Sequence, residues 1–92
     1  MNQSEERAEI DELFEDADLS LIKEIIYFNG WSDYEEYGGY LIFRGIDDCI
    51  HYCSYGYCVM ARDNTNYFNP VEITQEEADE LMCEMDKLIQ EY

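Results

Sequence analysis

The chain has 92 residues, 23 of them acidic and five basic, for a formal charge of −18 at pH 7. That charge is repelled by anionic membrane surfaces and by bare nucleic acid, so neither is expected as a direct partner. Hydrophobic residues at 47%, aromatics at 15% and a single Pro exclude the disordered signature and predict one folded domain over 1–92.

Residues 4–17 read as an amphipathic helix. Ile10, Leu13, Phe14, Ala17 and Leu21 follow the helical period, and Glu5, Glu9, Glu12, Glu15 and Asp16 occupy the other face. Asp18 or Ser20 is a candidate cap for a second helix, Leu21 to Phe28, with Ile22, Ile25 and Ile26 in the core and Asn29-Gly30 as its stop. Ser32 and Glu35 have capping-box spacing, which predicts a short helical turn over Asp33 to Tyr37, closed by Gly38-Gly39.

From Tyr40 the period changes to two. Tyr40 to Arg44 is a predicted strand, Gly45-Ile46-Asp47-Asp48 a turn, and Cys49 to Ser54 a second strand. Ser54-Tyr55-Gly56-Tyr57 predicts a tight hairpin, Tyr57 to Arg62 its returning strand, and Asp63-Asn64-Thr65-Asn66 a turn. Tyr67 to Ile73 contains Pro70 and fits an edge strand. Thr74 and Glu77 form a capping box for a last helix with one apolar stripe: Ala78, Leu81, Met82, Met85, Leu88, Ile89 and Tyr92. These elements make an α+β domain of N-terminal helices, an antiparallel sheet of three to four strands and a C-terminal helix.

The charge is uneven. Residues 1–18 carry a net −7, residues 72–92 another −7, and the longer middle only −4. Glu76, Glu80 and Glu84 recur every four residues, about 6 Å apart along one helical ridge, with Glu77 beside it. A smaller cluster comprises Asp33, Glu35, Glu36, Asp47 and Asp48. A row of negative charge at this spacing approximates a nucleic-acid backbone, with one charge per roughly 3.4 Å on each strand. The partner it predicts is a basic nucleic-acid-binding protein, bound with an affinity that falls as salt rises.

In size, charge and layout the chain resembles the small acidic inhibitors of bacteriophages: anti-CRISPR proteins, antirestriction DNA mimics and uracil-DNA glycosylase inhibitors. The resemblance implies a non-enzymatic inhibitor that blocks a nucleic-acid site on a CRISPR-Cas effector complex or DNA-processing enzyme. It also implies a cytoplasmic setting in a bacterial host. An acidic first eighteen residues is the opposite of a basic leader, and four cysteines without a leader are expected as free thiols in a reducing cytosol.

Seven of the nine tyrosines fall between residues 34 and 67. Tyr34, Tyr37 and Tyr55, at predicted turns beside acids, are the candidate contact tyrosines. With a loop at Tyr55-Gly56, Ile50, Tyr52, Tyr57, Val59 and Ala61 share one sheet face. Cys49, His51, Cys53, Cys58, Met60 and Arg62 share the other. Both faces are apolar, so one is expected to pack on helices and the other to need a cover: a partner, a second copy or the tyrosine rings themselves. An acidic adaptor or a homodimer that uses the tyrosine-rich sheet face is the alternative reading. Zinc at His51, Cys53 and Cys58 lacks a fourth ligand and any C-x-x-C spacing. Asp16, Asp18 and Ser20 start a calcium-loop pattern that Leu21 and Tyr27 break. One histidine, no nucleophile motif and no Gly-rich phosphate loop point away from catalysis, and no cofactor is expected.

Overall fold

The computed structural model describes residues 3–32, 34–61 and 64–91. Asp33, Arg62, Asp63 and Tyr92, which enter the expectations above, lie outside the described residues. Helix α1 (Gln3–Leu13) leads through a 3-10 turn (Leu19–Leu21) into strand β1 (Ile22–Ser32). Strands β2 (Glu36–Gly45), β3 (Ile50–Cys58) and β4 (Val71–Ile73) follow, and helix α2 (Gln75–Glu91) comes last. The four strands pair antiparallel in chain order, so the fold class is α+β.

Both faces of the sheet are covered. On β2, Leu41 and Phe43 pack with Ile10 of α1 and with Phe14, while Ile42 between them packs with Ile50 and with Ala78 of α2. Strand alternation sends neighbours to opposite faces, and here each face meets a helix. The buried run Leu41-Ile42-Phe43 is the signature of a strand enclosed on two sides. α1, Phe14 and Phe68 cover the face that carries Cys53, and α2 covers the face that carries Ile50 and Tyr52.

The predicted second helix is instead β1. Its apolar residues mimic a helical repeat because the strand carries two register shifts, between Ile22 and Glu24 and between Ile25 and Tyr27. Each bulge sets two residues against one and resets the alternation. Ile22, Ile25 and Phe28, three apart, therefore share the α1 face, and Ile26 and Tyr27 both turn to the α2 face. Asn29-Gly30 is no helix stop; it pairs with Tyr40 and Gly39 inside the sheet. The short helical turn before Gly38-Gly39 is likewise replaced, with a bend at Tyr34-Glu35 and β2 running through both glycines.

β3 also runs through its expected turn. Tyr55 and Gly56 pair with Gly39 and Gly38, and no described glycine has positive φ. The hairpin and the returning strand Tyr57 to Arg62 are thus absent, and Val59-Met60 form the turn that follows. The real tight turn is Gly45–Cys49, where the Asp48 N–H bonds the Gly45 carbonyl and the Gly45 N–H bonds the Cys49 carbonyl, both at 2.9 Å. Asp48 takes the left-handed position with φ 65°, which Asp tolerates better than most residues. A Cβ at Gly45 would meet the Asp47 carboxylate at 2.6 Å and the His51 ring at 3.1 Å, so these two side chains would have to shift.

β4 pairs only with Ile50, His51 and Tyr52, leaving the far half of the β3 edge open. Asparagine side chains fill the gap. The Gly56 N–H donates to Asn66 Oδ1 at 3.1 Å and the Cys58 N–H to Asn64 Oδ1 at 3.0 Å. The same segment ties down α1: the Glu15 N–H bonds the Asn66 carbonyl, and the Phe68 N–H bonds Asp16.

The α2 capping box forms as expected, with Thr74 N–H to Glu77 Oε1 and Glu77 N–H to Thr74 Oγ1, both at 3.1 Å. Thr74→Ala should cost about 1 kcal/mol, measured as a lower urea midpoint with unchanged slope. Of the predicted stripe, Ala78 and Met85 are buried and Leu81 and Met82 half-buried, while the side chains of Leu88, Ile89 and Tyr92 lie outside those described. Tyr27 anchors α2 to β1 through Asp86 at 3.1 Å; burial and then that bond push its hydroxyl up to about 12. No helix among the described residues is long and apolar enough to cross a membrane.

Candidate functional site: an acidic and aromatic end of the sheet

The acidic candidates, with Tyr34 and Tyr37, separate into three places, and Tyr55 lies apart from them in β3. Tyr34, Glu35, Glu36 and Tyr37 surround the start of β2; Asp33 is outside the described residues. Asp47 and Asp48 sit at the opposite end of the β2–β3 hairpin. Glu76, Glu77, Glu80 and Glu84 lie on α2, on the far layer from α1.

The Asp47–Asp48 end is occupied by internal contacts. Lys23 pairs with Asp48 at 2.7 Å, and this cation holds the Asp48 carboxyl below its ordinary range. Arg44 donates to the Asp48 carbonyl at 2.8 Å. Asp47 accepts the Cys49 N–H and contacts His51 Nε2 at 3.0 Å, and these bonds, the backbone one first, lower its pKa. Asp47, Cys49 and Glu72 place one ligand atom each within 4.8 Å of one another. The Cys49 thiol is held protonated, chiefly by its hydrogen bond to Glu72, so it serves that carboxylate as a donor.

The zinc set of His51, Cys53 and Cys58 does not converge. With β3 unbroken, Cys53 and Cys58 lie five residues apart on one strand, about 16 Å and on opposite faces. At that separation the two thiols cannot pair in a disulfide either, and all four cysteines are free. Cys53 is buried in the α1-side core, which pushes its thiol up to about 12. Alkylation under native conditions should therefore modify exposed Cys83 first and Cys53 only on unfolding, as peptide mass spectrometry would show. The calcium-like acids are structural too: Asp16 holds Phe68, and Asp18 accepts the Ser20 N–H at the 3-10 turn.

On α2, Glu77, Glu80 and Glu84 line a shallow groove with Tyr52, Ile73 and Leu81. Glu76 is exposed outside it. Glu77 is also the reciprocal half of the cap.

The start of β2 gathers the most exposed apolar surface. Tyr34 is 94% exposed and Met60 80%, with Tyr37, Tyr57 and Val59 also open. Pairing of β2 with β3 stacks the Tyr37 and Tyr57 rings at 5.4 Å and 11°. The Val59 N–H bonds the Glu35 carbonyl at 2.9 Å, closing this end. Aromatic surface rimmed by carboxylates is what a protein contact uses, because rings supply area and the acids choose the partner.

Tyr55 is not at a turn. It lies mid-strand, half-buried, with its ring 6.3 Å from Phe14 and 5.7 Å from Phe28. Burial raises its pKa, with the Glu9 charge adding to it. Glu9 and Glu12 of α1 face this surface and were not among the candidates. Together with Leu13, Phe28, Asn29, Tyr37 and Tyr55 they line a groove of about 610 Å³. A second groove joins Glu12 and Glu15 to Tyr37 and to Asn64–Asn66. The acid period of α1 is visible in the sequence, but its apposition to Tyr37 depends on strand pairing. No family model, curated protein or solved structure matches this chain.

Proposed function

We propose that the protein is a non-enzymatic inhibitor that docks on a basic, nucleic-acid-binding surface of another protein and excludes the nucleic acid. The single observation behind this reading is the tyrosine end of the sheet, where exposed Tyr37, stacked on Tyr57, lines one groove with Glu9 and Glu12 of α1. Tyr34, Glu35, Glu36 and Tyr37 form the contact with Tyr57, Val59 and Met60. Glu76, Glu77, Glu80 and Glu84, on the other layer, act through the long-range field that steers a cationic partner. A CRISPR-Cas effector or a similar DNA-processing enzyme is the target class that fits this chemistry.

The test is capture from bacterial lysate on immobilised protein at low salt, followed by elution with duplex DNA or RNA. Nucleic-acid-binding proteins released by the competitor are the expected result. Captured proteins that salt releases but nucleic acid does not would overturn exclusion.

A further inference from the structure

We propose that the groove between α1 and the tyrosine end of the sheet receives an arginine side chain of the partner. This rests on the inhibitor reading for its biological setting, but the groove's chemistry stands separately. Glu9 and Glu12 are three apart on α1, and residues so spaced are surface neighbours on a helix. Both are exposed, and among the described residues neither forms an ion pair. The rings of Phe28, Tyr37 and Tyr55 and the side chain of Leu13 line the same groove.

The two kinds of lining residue ask for different things from one occupant. Carboxylates three residues apart ask for a cation with several donors. Aromatic rings ask for a flat, weakly hydrated surface. A guanidinium meets both demands, because it is planar, carries five donors in a fixed fork and stacks on rings. An ammonium satisfies only the first, being a compact and strongly hydrated point charge. Burial is the main cause of the raised Tyr55 pKa and the Glu9 charge adds to it, so that carboxylate is within electrostatic reach of the ring. Tyr37 is the hinge of the arrangement, since it lines this groove and the neighbouring one formed with Glu12, Glu15 and Asn66. Its stack on Tyr57 holds the ring in place.

The probe is a blocked Gly-Arg-Gly tripeptide titrated at low ionic strength into the isotope-labelled full chain, with Gly-Lys-Gly as the comparison. Arginine should shift the resonances of Leu13, Phe28, Tyr37 and Tyr55, and should bind roughly threefold or more tighter than lysine. Glu9→Gln with Glu12→Gln should weaken the arginine peptide about tenfold. Glu76→Gln with Glu80→Gln removes the same charge from α2 and should change binding less than about twofold. Tyr37→Ala should erase the preference for arginine over lysine while leaving weak binding of both.

Equal binding of the two peptides, shifts spread over every acidic face, equal loss in the two double variants or no detectable binding would each overturn the proposal. Release of captured proteins by DNA reads the inhibitor function independently. Release that persists unchanged in the Glu9/Glu12 variant sinks the groove and leaves the function. A groove selective for arginine in a protein whose captured partners ignore nucleic acid leaves the groove and sinks the function.

Discussion

Phe43→Ala is expected to lose about 3–5 kcal/mol of stability, the largest effect of any single truncation in the sheet. Phe43 is 1% exposed at the centre of β2. Its ring stacks on Phe68 at 5.9 Å and 18°, and on His51 at 5.4 Å and 21°. It therefore joins β2, β3 and the segment before β4 in one layer beneath α1. A chain of this length has only on the order of 5–14 kcal/mol of net stability, further reduced by the self-repulsion of −18 charges. Urea unfolding followed by tryptophan fluorescence would measure the loss. Ile46→Ala, at a side chain 66% exposed, should stay within about 0.5 kcal/mol of the parent. A Phe43→Ala loss below about 1 kcal/mol would place the centre of this layer elsewhere.

Two charge-reversed variants should separate contact from steering. Glu9→Lys with Glu12→Lys and Glu76→Lys with Glu80→Lys change the net charge equally, on opposite layers of the fold. The α1 pair should raise the dissociation rate of a captured partner and weaken binding about tenfold or more, near 1.4 kcal/mol. The α2 pair should slow association alone, and its effect should vanish at high salt, where the screening length falls to about 3 Å. Both variants should melt at higher temperature than the parent, because each relieves repulsion within an acidic surface. Stability and binding thus move in opposite directions. Added salt should do the same to the parent, raising its melting temperature while weakening the complex. Equal dissociation rates for the two variants would remove the distinction between the layers.

Several elements are legible in the sequence because their signals are local. Thr74 and Glu77 specify a helix start three residues apart, and the bond pair forms as spaced. The Gly45–Asp48 turn is similarly short-range. β1 is the opposite case. Ile22, Ile25, Ile26 and Phe28 have helical spacing, and only pairing with β2 shows that two bulges produce it. Gly56 shows the same limit, since a glycine between tyrosines suggests a turn until Gly38 lies opposite it. The contact tyrosines divide accordingly: Tyr34 and Tyr37 are exposed at a chain reversal, whereas Tyr55 joins the core because β3 never turns there.

From the chain alone came the α+β class, the two terminal helices, the central strand around Leu41–Phe43 and the concentration of charge at both ends. Each depends on composition or on contacts within a few residues. Tertiary structure decided that the two acidic helices cover opposite faces of one sheet, that α1 stands beside Tyr37 and Tyr55 while α2 stands beside Tyr27 and Tyr52, and that Asp47 and Asp48 are engaged by Lys23, Arg44 and His51. These depend on strand register and on bulges, which set partners far apart in sequence and reverse a side chain's face with a shift of one residue.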